Sequence, residues 1–73
     1  MTQSMYLIQR AEFHGFANRA FGGKVASYSK WRTVARSQNE GLARQEMDIM
    51  SHRPGLFRLR LMYRGKELAR ARW

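Results

Sequence analysis

The stretch Gly55–Trp73, GLFRLRLMYRGKELARARW, constrains the fold more than any other part of the chain. Phe57, Leu59, Leu61 and Tyr63 alternate there with Arg58, Arg60, Met62 and Arg64. A period of two marks a strand with one buried face. Gly65-Lys66 reads as a turn, and Glu67–Trp73 as a strand running back beside the first. A three-residue loop, Arg64-Gly65-Lys66, sets Leu61 opposite Ala69, Leu59 opposite Ala71 and Phe57 opposite Trp73. It also sets Arg58 opposite Arg72 and Arg60 opposite Arg70. A two-residue loop, Arg64-Gly65, would put Leu59 against Arg70 and Phe57 against Arg72, which spoils the apolar face. The first register is therefore expected. It crowds like charges on the outer face, which is unfavourable unless an anionic partner sits there or the side chains splay into water.

The rest of the chain supplies partners for this hairpin. Residues 1–4 are polar and expected to fray. Met5–Phe13 reads as a strand centred on Tyr6, Leu7 and Ile8. Residues 14–30 are punctuated by Gly15 and Gly22-Gly23 yet carry Phe16, Phe21, Val25 and Tyr28. They are expected to form a mobile loop that contacts a partner. Trp31–Arg36 reads as a further strand, with Trp31 directed to the core. Ser37 and Glu40 have capping-box spacing, with Asn39 as the alternative cap. A helix is expected from Gln38 to Ser51, with Leu42, Ala43, Met47, Ile49 and Met50 on one arc. Pro54 ends it near Arg53. The order β-loop-β-α-β-β predicts an α+β fold: a small antiparallel sheet of three to four strands with one helix packed on one face. At 73 residues the chain makes one domain, residues 1–73.

Charge narrows the function. Fourteen Lys and Arg stand against five Asp and Glu, a formal net charge of +9. Such a field draws polyanions and acidic protein surfaces. The acids cluster: Glu40, Glu46 and Asp48 lie on the helix, and no acid occurs between Glu12 and Glu40. Cysteine is absent, which removes disulfides and thiolate metal sites and agrees with a reducing cytoplasm. No run has the roughly 18 apolar residues of a membrane span, and the opening residues do not make a signal peptide.

Catalytic and cofactor motifs are missing. Gly22-Gly23-Lys24 lacks the spacing and hydroxyl residue of a phosphate loop. His14 and His52 share no metal-ligand spacing. The carboxylates and serines show no paired acid/base or nucleophile arrangement. No metal or cofactor is expected. What remains is basic side chains interleaved with aromatics: Arg10 with Phe13, Phe16 with Arg19 and Phe21, Lys30 with Trp31 and Arg32, and Arg72 with Trp73. That mixture suits phosphates and bases, and equally a protein interface.

Two resemblances bear on the reading. The run Arg53-Pro-Gly-Leu-Phe-Arg-Leu-Arg-Leu is similar to the sheet segment of the RelE/ParE toxin superfamily, in which a glycine precedes a strand alternating Arg with apolar residues. That resemblance implies Arg58, Arg60 and Tyr63 as groups stabilising RNA cleavage, although the chain lacks that family's two N-terminal helices. The whole chain, by its size, basicity, lack of Cys and opening Met5-Tyr-Leu-Ile strand, resembles small phage-encoded transcription regulators that bind host RNA polymerase, of the kind lytic Xanthomonas phages carry. This second resemblance implies a non-enzymatic protein acting in the cytoplasm of an infected bacterium. It implies contact with the largest polymerase subunits, inhibition of host promoter initiation and read-through of terminators. The partner-binding candidates are Arg10, Phe13, His14, Phe16, Arg19, Phe21, Lys30 and Arg32. Arg58, Arg60, Arg70 and Arg72 form a secondary basic face toward RNA or DNA phosphates. A monomer is expected. A stand-alone nucleic-acid module and a toxin-like ribonuclease are the alternatives.

Overall fold

The structure, a computed structural model, describes residues 5–18 and 22–72. It has the α+β architecture read from the sequence. In chain order the elements are β1 (Tyr6–Asn18), β2 (Lys24–Tyr28), β3 (Arg32–Ser37), α1 (Glu40–Ser51), β4 (Phe57–Tyr63) and β5 (Lys66–Ala71). All strand pairs are antiparallel. β1 lies at the centre, with β4 and then β5 on one side. Its other edge is shared: Tyr6–Arg10 pairs with β3, and Phe13–Asn18 pairs with β2.

β4 follows the alternation seen in the sequence. Phe57, Leu59 and Leu61 are buried, and with Ile8, Ala43 and Met47 they form the core beneath α1. Ala43 is wholly buried, which lets the helix approach the sheet closely. Leu42 and Ile49 were expected on the buried arc but are exposed. The contact stripe is narrower than the arc, being built from Ala43 and Met47 with Met50 beside them. The helix starts at Glu40 with Asn39 as its cap, whose side chain accepts the Leu42 amide at 3.0 Å. The expected capping box does not form. The Ser37 hydroxyl bonds the Asn39 backbone instead, and Glu40 pairs with Arg44.

The β4–β5 register combines both readings of the hairpin. Leu59 faces Ala71, Arg60 faces Arg70 and Leu61 faces Ala69, as the three-residue loop requires. Yet Tyr63 faces Lys66 across a two-residue turn, Arg64-Gly65, with φ of 51° and 78°. Positive φ at both central positions is the type I′ geometry that matches strand twist. Leu68 reconciles the two. It is the extra residue between the Met62–Glu67 and Leu61–Ala69 pairs, a bulge that restores the apolar face.

Residues 14–30 are largely strand rather than the loop that the glycines suggested. His14–Asn18 continues β1, and Lys24–Tyr28 is β2. Gly15, at φ 100°, takes up the irregularity between the Phe13 and Gly15 pairs instead of ending the strand. The expected fray at residues 1–4 and the Phe57–Trp73 pairing lie outside the described residues. No helix among the described residues is long and apolar enough to cross a membrane.

Candidate nucleic-acid interface

Helix α1 covers the sheet face that bears Ile8, Leu59 and Leu61. Alternation puts Gln9, Ala11, Arg58 and Arg60 on the opposite face. Arg70, across from Arg60, and Thr33, across from Gln9, share that side. These guanidinium groups are braced. Arg58 Cζ lies 3.6 Å from the Tyr28 ring centroid, and Arg60 Cζ lies 4.3 Å from that of Trp31. Arg60 Nε also donates to Gln9 Oε1 at 2.8 Å, and Gln9 Nε2 donates to Thr33 Oγ1 at 3.3 Å. A relay across β4, β1 and β3 therefore sets the Arg60 head. Arg70 is held by Glu67 at 2.7 Å. A stacked guanidinium is ordered before it meets a ligand, and its N–H edge suits the oxygens of a phosphate.

The sequence reading placed Trp31 in the core. It is half-buried, with its ring against Arg60. Ala11 is buried although no helix covers this face.

A cleft of about 410 Å³ at the edge of β1 is lined by Arg10, Glu12, His14, Ser29, Lys30, Trp31 and Arg32. The register puts Arg10, Glu12 and Arg32 on the helix side, whereas Trp31 reaches the basic face at Arg60. Arg10, His14, Lys30 and Arg32, four of the partner-binding candidates, thus line one cleft. Arg10 is not freely presented, however. It pairs with Glu12 and lies 4.0 Å from the Phe57 ring centroid. The Arg10 hydrogen bond holds the Glu12 carboxyl below its ordinary range, against a smaller opposing effect of burial, with the charges of Arg10, Arg32 and His14 assisting. Ser29 ties the crossing between β2 and β3: its hydroxyl accepts the Glu12 amide at 2.9 Å, and its own amide donates to the Glu12 carbonyl at 2.9 Å.

Phe13 and Phe16 fall instead in a neighbouring apolar groove of about 500 Å³, with Tyr28, Leu56, Phe57 and Arg72. Phe13 meets Phe16 and Tyr28 edge-on, with centroids 5.4 and 5.6 Å apart. Arg19 and Phe21 lie outside the described residues.

Arg72 departs from the expected basic row. At φ 62° the chain turns there, so Arg72 does not continue the ladder opposite Arg58. Its guanidinium donates to the carbonyls of Ser51, Arg53 and Gly55, and lies 4.3 Å from the Phe57 ring centroid. It clasps the segment between α1 and β4. The toxin-like set is also divided. Tyr63 stacks on Tyr6, with ring centroids 4.2 Å apart, on the opposite side of β4 from Arg58 and Arg60.

Tyr28, Gln9 and Thr33 are the members of the basic face that sequence reasoning missed. The alternation of β1 would have put Gln9 beside Ala11, but only the cross-strand register reveals that it orients Arg60. Among the described residues no group of three or more His, Cys, Asp or Glu could hold a metal. Comparison with protein-family models, with curated proteins and with solved structures finds no match to this chain.

Proposed function

We propose that this protein is a non-catalytic binding module that takes nucleic acid through its basic surface. The observation that carries this reading is the helix-free face, where Arg58 and Arg60 are braced on Tyr28 and Trp31 and stand beside Arg70. Such ordering favours contact with phosphate, because less side-chain freedom is lost on binding. Lys30 and Arg32 line the cleft at the edge of β1, where Arg32, across from Arg10, adds charge on the other side of the sheet. The test is binding of RNA and DNA by purified protein across a salt series. Affinity should fall steeply with salt, and Arg58→Ala with Arg60→Ala should flatten the dependence by the slope of about two lost phosphate contacts. Binding that is absent at low salt sinks the reading.

A second reading keeps the same surface but makes the partner bacterial RNA polymerase, with the protein inhibiting host promoter initiation and promoting terminator read-through. The ribbon formed by residues 13–18 and 24–28 favours it, because a projecting two-stranded segment suits insertion into a cleft of a larger assembly. The resemblance to phage transcription regulators points the same way. Purified polymerase core retained after nuclease treatment, together with weak and salt-insensitive nucleic-acid binding, would select this reading over the first.

A further inference from the structure

We infer that the β1–β2 ribbon is a reading arm for the major groove of double-stranded DNA. The inference rests on the nucleic-acid reading above and names the form of ligand. β1 pairs with β4 only from Tyr6 to Glu12. The Phe13 amide still donates to the Leu56 carbonyl at 3.0 Å, and from Gly15↔Ser27 to Asn18↔Lys24 the ladder is with β2. The ribbon therefore leaves the body of the sheet, and the molecule measures 49 × 27 × 15 Å along its principal axes. His14–Asn18 spans about 17 Å at strand rise. A B-form major groove is about 12 Å wide and about 8.5 Å deep and admits a two-stranded ribbon. The major groove of an RNA duplex is too narrow and deep for side chains to read.

The side chains on the ribbon suit base edges. Residues facing each other across the ladder share a side. One side carries Asn18 with Lys24 and, one pair inward on that side, Phe16 with Ala26. The other carries Ala17 with Val25 and Gly15 with Ser27, which keeps the ribbon thin. Asn matches the adenine edge, Lys the guanine O6 and N7, and Phe or Ala the thymine methyl. Phe16 meets Phe13 edge-on yet remains 69% exposed, which leaves most of its ring open to a ligand. No acid lies between Glu12 and Glu40 to repel the phosphates on either side. Lys30 and Arg32, in the cleft next to His14, stand where the arm leaves the sheet and would meet the backbone beside the groove.

The test starts by selecting duplexes from a randomised pool with the native protein. Dimethyl sulfate probing of the selected duplex follows, since this reagent methylates guanine N7 in the major groove and adenine N3 in the minor groove. The expected result is an enriched sequence with guanine N7 protected. A duplex RNA of that sequence should bind at least about tenfold more weakly. A variant combining Phe16→Ala, Asn18→Ala and Lys24→Ala, shown by circular dichroism to be folded at the binding temperature, should lose about tenfold or more for the selected duplex. Failure to enrich any sequence, protection of adenine N3 alone, or unchanged affinity in that variant would overturn the arm while leaving salt-dependent binding by the basic face intact. Absence of all nucleic-acid binding at low salt would overturn both.

Discussion

Arg60 and Trp31 meet across the helix-free face, the guanidinium carbon 4.3 Å from the indole centroid. The contact joins β4 to the segment entering β3 without using the apolar core. Arg60→Lys keeps the charge but loses the planar stack and the fork of donors. Nucleic-acid affinity measured by anisotropy should fall by severalfold with little change in salt slope, whereas Arg60→Ala should reduce both. Gln9→Ala removes the hydrogen bond at Arg60 Nε and should move affinity in the same direction as Arg60→Lys, by less.

Phe57 is buried with the guanidinium groups of Arg10 and Arg72 lying against its ring. Phe57→Ala removes a core side chain together with the surface on which both groups rest. A cost of about 3–5 kcal/mol is expected, enough to unfold much of a domain this small. Arg72→Ala removes donors to three carbonyls at an exposed site. About 1 kcal/mol is expected, read as a lower urea midpoint. Nucleic-acid binding should change little in Arg72→Ala, which separates it from Arg58→Ala and Arg60→Ala.

The hairpin offers a stabilising change. Arg64 sits at φ 51°, where a side chain with a long stem is disfavoured and Asn is tolerated. Arg64→Asn gives the Asn-Gly pair that type I′ turns favour. It should raise stability by up to about 1 kcal/mol and the melting temperature by a few degrees. Gly65→Ala, at φ 78°, should do the reverse.

Acid should act through Glu12. Its carboxyl is held below the ordinary value of 4.5 by the Arg10 hydrogen bond. A lowered folded value means that the unfolded chain takes up the proton first as pH falls. The stability contributed by Glu12 is therefore complete above pH 4.5 and is lost as pH drops below that value and through the folded one. Urea midpoints of native protein and Glu12→Gln, followed down through this range, should converge. Parallel curves would show that the Arg10 contact does not form in solution.

The sequence made β4 and its core side chains legible because burial on one face imposes a strict period. It gave the inner register of β5 for the same reason: only that phase keeps Ala69 and Ala71 beside Leu61 and Leu59. It did not reveal Leu68 as a bulge, because a tight turn and a bulge together produce the same inner pairing as a longer loop. The arm was hidden by glycines, which signal breaks in general but here permit a bent strand at Gly15. Arg72 was misplaced because its turn away from the sheet depends on carbonyls at Ser51, Arg53 and Gly55, which alternation does not encode. In the basic site, the local grouping of Lys30, Trp31 and Arg32 was readable. The braces on Arg58 and Arg60 were not, since they join residues distant in the chain.

Leu68 bears on how this hairpin tolerates changes in length. The outward bulge absorbs one residue, so removing Leu68 would leave the two-residue turn and a regular ladder in which both alanines still meet their leucines. Removing Ala69 would leave Leu68 opposite Leu61 without a bulge and preserve the pattern with a larger side chain. An added residue between Ala69 and Arg70 has no such refuge: it would carry Arg70 to the helix side and Ala71 to the water side. Length variation in this hairpin is therefore confined to one rung, and a chain shortened there by one residue would keep the same inside and outside.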